Sequence, residues 1–238
     1  MATHPASPDD AGMTTTPDVR TDEQIQQDVL AELRWDARVQ PNEVAVAVQG
    51  GIVTLAGWVD NYVKRWAAER AAQRVRSVVA VANEVEIRPP AAGNEPTDAN
   101  IAGATVQVLE WNALVPSDQV EVSVSAGRVT LRGEVEWEYE RREAERAVRG
   151  LAGVRGVTNS IAVRPRRRIE PEDLERRIEQ ALLRSAETDA ERIMVEQDGD
   201  KVILRGAVRS WPERRDAERA AWSAPGVRSV ENDIRIAP

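Results

Sequence analysis

The chain can be laid over itself without a gap, and it does so twice. Moving the sequence by 76 positions sets Thr21-Asp22 on Thr97-Asp98, Gly57 on Gly133, Asn83 on Asn159 and Pro89 on Pro165. Moving the second copy by 73 sets Leu131 on Leu204, Gly133 on Gly206, Asn159 on Asn232 and Pro165 on Pro238. Three modules follow, at 21–89, 97–165 and 170–238, behind an opening 1–20 whose Pro, Ser, Thr and Asp content reads as a disordered tail. Pro-punctuated joints at 89–96 and 164–171 are short and semi-stiff, so neighbouring modules stay close. A period near 70 residues exceeds that of solenoid repeats, about 20–50 residues, and predicts beads that each own a core.

Every copy carries the same periodicities in the same order. Ile25, Val29 and Leu33, then Ile101, Thr105 and Leu109, then Leu174, Ile178 and Leu182, recur every four residues and predict a first helix. Thr21 with Gln24 is a capping box, and Pro171 before Glu172-Asp173 opens a helix by another device. Alternation follows: Val44, Val46, Val48 and Val53, Leu55, Gly57, Val59 flank Gly50-Gly51, with counterparts around Ala126-Gly127 and Asp198-Gly199. Such turn chemistry between alternating runs predicts a hairpin with one buried face. A second helix shows Ala68, Ala71, Ala72 and Val75 inward, with Asn61 as its cap in the first copy and Ser210 with Glu213 as a capping box in the third. The pairs Glu69-Arg70, Glu145-Arg146 and Glu218-Arg219 fall on its outer side. A last strand carries Val81, Asn83, Val85 and Ile87. The predicted fold class is α+β: three tandem α-β-β-α-β modules, each a small three-stranded sheet with two helices on one face. Units this small bury about 60% of their unfolded surface, so packing between modules is expected to add stability.

Composition removes most chemistry. Cys is absent and His4 is the only histidine, which excludes disulfides, thiolate nucleophiles, Cys-based metal sites and histidine acid–base catalysis. A net charge of −8 disfavours nucleic acid. No apolar run approaches the roughly 20 residues that span a bilayer. Residues 1–18 lack a basic start and an apolar core, so no secretory signal is expected and a cytoplasmic location is. No cofactor, metal or catalytic site is expected. The glycines of 150–156 lack the strand-then-helix setting of a phosphate-cradling loop.

The run Gly51-Ile52-Val53-Thr54-Leu55-Ala56-Gly57-Trp58-Val59 returns as Gly127-Arg128-Val129-Thr130-Leu131-Arg132-Gly133-Glu134-Val135 and as Val202-Ile203-Leu204-Arg205-Gly206-Ala207-Val208. Followed each time by an Ala- and Glu-Arg-containing helix and an Asn-containing strand, it resembles the BON domain, a bacterial module named for osmotic stress and nodulation proteins. The resemblance implies a non-enzymatic role. It further implies binding to a phospholipid or membrane surface, or an envelope-stress function. The alternative is a cytoplasmic stress adaptor binding a protein partner or a small ion such as potassium. Oligomeric state stays open, a homo-oligomer included.

Two residue sets stand out as sites. The motif glycines Gly57, Gly133 and Gly206 read as structural, relieving crowding beneath the second helix or marking a bulge, against close approach of a ligand. Trp58, Tyr62, Trp66, Trp137, Tyr139 and Trp211 gather between second strand and second helix, beside the aligned cations Arg65, Arg141 and Arg214. Trp interleaved with Arg suits a membrane-interface or protein-contact rim, and equally suits capping the core or filling contacts between modules. Trp35 and Trp111, at matching ends of the first helices, are expected in the core. Glu134, Glu136, Glu138 and Glu140 read as a solvated edge, and Arg166-Arg167-Arg168 as a solvated linker.

Overall fold

The first helix, α1 (Asp22–Trp35), starts on a reciprocal cap: the Gln24 amide donates to Thr21 Oγ1 and the Thr21 amide to Gln24 Oε1. In this computed structural model, residues 20–40, 42–89, 95–166, 171–184 and 192–237 are described. The tail at 1–19 with His4, most of the first joint, and Arg167-Arg168 lie outside them.

Each module repeats one order of elements. The first contains α1, β1 (Val44–Gln49), β2 (Ile52–Val59), α2 (Tyr62–Arg74) and β3 (Ala80–Ile87). The second contains α3 (Asp98–Trp111), β4 (Val120–Ser125), β5 (Arg128–Val135), α4 (Glu138–Arg149) and β6 (Gly156–Val163). The third contains α5 (Pro171–Arg184), β7 (Ile193–Asp198), β8 (Lys201–Val208), α6 (Trp211–Trp222) and β9 (Ser229–Ile236). The middle strand of each sheet pairs antiparallel with its hairpin partner and parallel with the last strand, joined to the latter across the second helix. Three separate hydrophobic clusters result, one per module. Leu55, Leu131 and Leu204 sit at their centres, each fully buried on a middle strand. The fold is the predicted α+β arrangement in triplicate.

Small side chains set how close the second helix lies. Ala67, Ala68, Ala71 and Ala72 of α2 are all fully buried, with Ala67 joining the residues that the periodicity assigned to the inner face. Asn61 caps α2 by accepting from the Lys64 amide. At α6 the expected capping box does not form. Ser210 Oγ instead donates to the Glu213 carboxylate, which also accepts from the Arg209 amide, while Pro212 occupies the first turn and needs no acceptor.

The strand glycines answer to backbone geometry. Gly57, Gly133 and Gly206 have φ of +128°, +130° and +137°, which side chains rarely adopt. A Cβ there would lie 2.1 Å from the Glu43 carbonyl oxygen, or 2.0 Å from that of Gln119 or Arg192. The crowding comes from the residue before the neighbouring strand, not from the helix above.

The modules also close on one another. Trp211 Nε1 donates to the Val78 carbonyl (3.0 Å) and the Ser77 amide to the Arg209 carbonyl (3.3 Å), tying module three to module one. Tyr62 of module one and Trp222 of module three both pack against the core of module two. Gly133→Ala is expected to destabilise the protein by more than about 3 kcal/mol, the upper end for backbone strain alone, because the carbonyl clash adds to it. Gly103→Ala, inside α3 with open space around its Cα, should stabilise by about 0.5–1 kcal/mol. Thermal unfolding of the two variants checks both signs.

Candidate contact surface

The aligned arginines of the proposed rim turn inward. Arg65 Nη2 donates to the Asn83 carbonyl (3.0 Å), and Arg214 donates to the carbonyls of Asn232 and Ile234. The repeated asparagine returns the contact: Nδ2 of Asn83, Asn159 and Asn232 donates to the carbonyls of Arg65, Arg141 and Arg214. Each Asn Oδ1 accepts from the amide two residues on, in Val85, Ile161 and Ile234. An amide that satisfies strand and helix together fixes their separation, so the motif Asn is a strut. Arg141 departs from its counterparts: its guanidinium sits over the Trp222 ring (5.6 Å) and 2.9 Å from the Glu138 carboxylate. The angle there falls short of a hydrogen bond and leaves a charge contact.

The aromatic members divide. Trp58 (46% exposed) lies on the open face of the first sheet and Tyr139 (51%) at the start of α4, both reachable from solvent. Tyr62 and Trp211 are spent on module contacts. Trp137 is half-buried, its amide donating to Glu140. Trp66 carries Arg149 of module two at 4.1 Å from its ring centre, with Arg70 at 5.2 Å and Arg38 at 5.8 Å.

Trp35 and Trp111 overturn their expected place in the core: they are 85% and 78% exposed. The signal was present, since each lies two residues past the last buried position of its helix, Leu33 or Leu109, and therefore about 200° round the axis from that stripe. A second missed feature is a clamp by acid. Asp22 accepts from the amides of Gly50 and Gly51, and Asp98 from those of Ala126 and Gly127, holding the hairpin turn to the start of the first helix.

The acidic run is not uniformly solvated. Glu134 and Glu136 pair with Arg164 and Arg166, Glu140 accepts from the amides of Glu136 and Trp137, and Glu138 is buried. Burial pushes the Glu138 carboxyl above its usual range, and Arg141 and Arg142 only partly oppose that. Asp36 moves the other way. Hydrogen bonds from Arg38 lower its pKa to about 2, with burial opposing and the Arg74 charge helping. A depressed carboxyl stabilises the fold above its unfolded pKa and loses that contribution as pH falls through the folded value. Asp36→Asn should therefore be less stable than the parent above about pH 4. The gap should close as pH approaches 2, as urea titrations across that window would show. Among the described residues no cluster of His, Cys, Asp or Glu has the arrangement of a metal site.

Comparison with known proteins adds to this geometry. The BON domain family matches residues 21–89, 97–165 and 171–238. Osmotically-inducible protein Y of Escherichia coli (strain K12) is 25% identical over 155 residues, covering 64% of this chain and 77% of that protein. Among solved structures, CdsD, a structural protein of the type III secretion system of Chlamydia trachomatis, aligns over 89% of this chain and 91% of its own. That match has 14% identity and a TM-score of 0.26, too low to carry an argument.

Proposed function

This chain belongs to the BON domain family, and from that premise we propose that it is a non-enzymatic stress protein that binds peripherally to a phospholipid surface through exposed indoles. The observation that carries the reading is the matched exposure of Trp35 and Trp111, at equivalent ends of α1 and α3. A soluble surface has little use for a free indole, whereas the interface of a bilayer takes its apolar ring and keeps its N–H wet. Trp58 and Ile52 add apolar area on the open face of the first sheet. No helix among the described residues is long and apolar enough to cross a membrane.

Repetition makes weak contacts useful. Two modules held in one body convert the second insertion into an intramolecular event, raising avidity without new chemistry. Arg34 of α1 precedes the first indole, while the net charge of −8 limits attraction to anionic lipid. Co-sedimentation with phosphatidylglycerol and phosphatidylcholine vesicles tests the reading. The parent should pellet with vesicles, and Trp35→Ser/Trp111→Ser should lose at least about tenfold in partitioning while keeping its unfolding temperature. A double variant that pellets as well as the parent removes the indoles from the proposal, and a parent that stays in solution with every lipid shifts the function to a protein partner.

A further inference from the structure

Of the repeated Glu-Arg pairs, Glu69 and Glu218 accept from Asn83 and Asn232 of their own sheets, while Arg70, Arg146 and Arg219 line a cleft shared between the modules. Helices α2, α4 and α6, one from each module, border a space of about 740 Å³. That lies within the range of about 300–1,000 Å³ typical of small-molecule sites. Equivalent positions of the repeat meet across it: Arg70, Arg146 and Arg219 are one set, and Trp66, Arg142 and Arg215 another. Seven arginines and four glutamates line the cleft, the reverse of the chain's overall acidic balance.

Carboxylates account for only some of this charge. Arg149 pairs with Glu145 (2.6 Å) and Arg146 with Glu143 (3.4 Å). Arg70, Arg142 and Arg215 form no salt bridge among the described residues, and there is one of them on each module. Arg70 lies beside the Trp66 ring, and Arg215 reaches across from module three to donate to Gln73 of module one (2.6 Å). Burial first, then the charges of Arg215, Arg149 and Arg142, push the Arg70 pKa down to about 10. Burial pulls Arg215 down as well, with Asp216 and Glu218 opposing and Arg219 and Arg74 adding to it. Trp222 also borders the cleft, and its buried Nε1 has no hydrogen-bond partner. Half-buried cations that repel one another, with a spare donor beside them, are the complement of an anion with several charges.

We propose that this three-module cleft binds one soluble, multiply charged phosphate ester per chain, with Arg70, Arg142 and Arg215 as its principal cations. Guanidinium forks match phosphate oxygens in pairs, and three forks arriving from three helices suit a ligand with more than one phosphoryl group. The site is separate from the exposed indoles and does not depend on membrane attachment. The ligand would join the second helices of all three modules.

Titration calorimetry of the full chain with sodium tripolyphosphate at about 0.05 M salt, where screening is weak, tests the assignment. One site per chain is expected, weakening as salt rises. Arg70→Gln/Arg215→Gln should lose at least about tenfold in affinity. Its ligand-free unfolding temperature should be equal to or above the parent's, since the change removes repulsion, an outcome that a purely structural pair of arginines would not give. Arg142→Gln, at an exposed position with no salt bridge, should weaken binding several-fold; because Arg142 helps offset the buried Glu138 carboxylate, a small fall in unfolding temperature is expected beside it. Absence of binding by the parent, three equal sites per chain, or unchanged affinity in Arg142→Gln would each overturn the proposal. Displacement of tripolyphosphate by phosphatidylglycerol vesicles would assign the cleft to a lipid headgroup and overturn a soluble ligand.

Discussion

Three carbonyl oxygens, those of Glu43, Gln119 and Arg192, occupy the space where a side chain on the middle strand would begin. Because Gly57, Gly133 and Gly206 have none, the first strand can cross the middle strand at a distance no other residue permits. Beyond that crossing the middle strand stays in parallel register with the last strand, through Val59 opposite Ile87 in the first module. Val59, Val135 and Val208 thereby return to the buried face beside the second helix. That helix is held from the other side by the asparagine strut. The glycine and the asparagine act on opposite edges of the same middle strand, which is why the two recur together.

Periodicity made most of this readable. Spacings of four and of two, with turn glycines between them, fix helices and strands in a chain whose local preferences and buried faces agree. Ser210 departs from its motif because residue type does not fix geometry: the carboxylate of Glu213 competes for the hydroxyl itself. The inward turn of two of the aligned arginines is hidden for a related reason. Arg65 and Arg214 look like surface charge in one dimension, but their length lets them reach carbonyls on a strand eighteen or twenty residues away. The indoles of Trp35 and Trp111 were assigned by hydrophobicity when their angular position decided the matter.

What a single repeat cannot disclose is how its copies meet. Within one module Arg70 reads as an ordinary surface charge beside a Glu69 that accepts from Asn83. Set against its two equivalents, with Trp66 replaced by Arg142 and Arg215 in the later copies, it becomes part of a cationic enclosure. The substitution at that one aligned position has a physical result. The single ring of module one gives the guanidinium of Arg149 a surface to lie on, and the two arginines of the other modules supply charge to the same space.

The aspartate clamps distribute rigidity unevenly along the chain. In the first two modules Asp22 and Asp98 bind the hairpin turn to the helix that opens the module, so neither can move without breaking two hydrogen bonds to a charged acceptor. The third module has Pro171 at the matching position, and among the described residues no carboxylate takes up the amide of Gly199. Its hairpin turn is held instead at the start of the last strand, where the Arg228 amide donates to the Asp200 carbonyl and the Arg228 guanidinium pairs with the Asp200 carboxylate. The clamp thus belongs to the first two modules, where turn and opening helix are obliged to move as one piece.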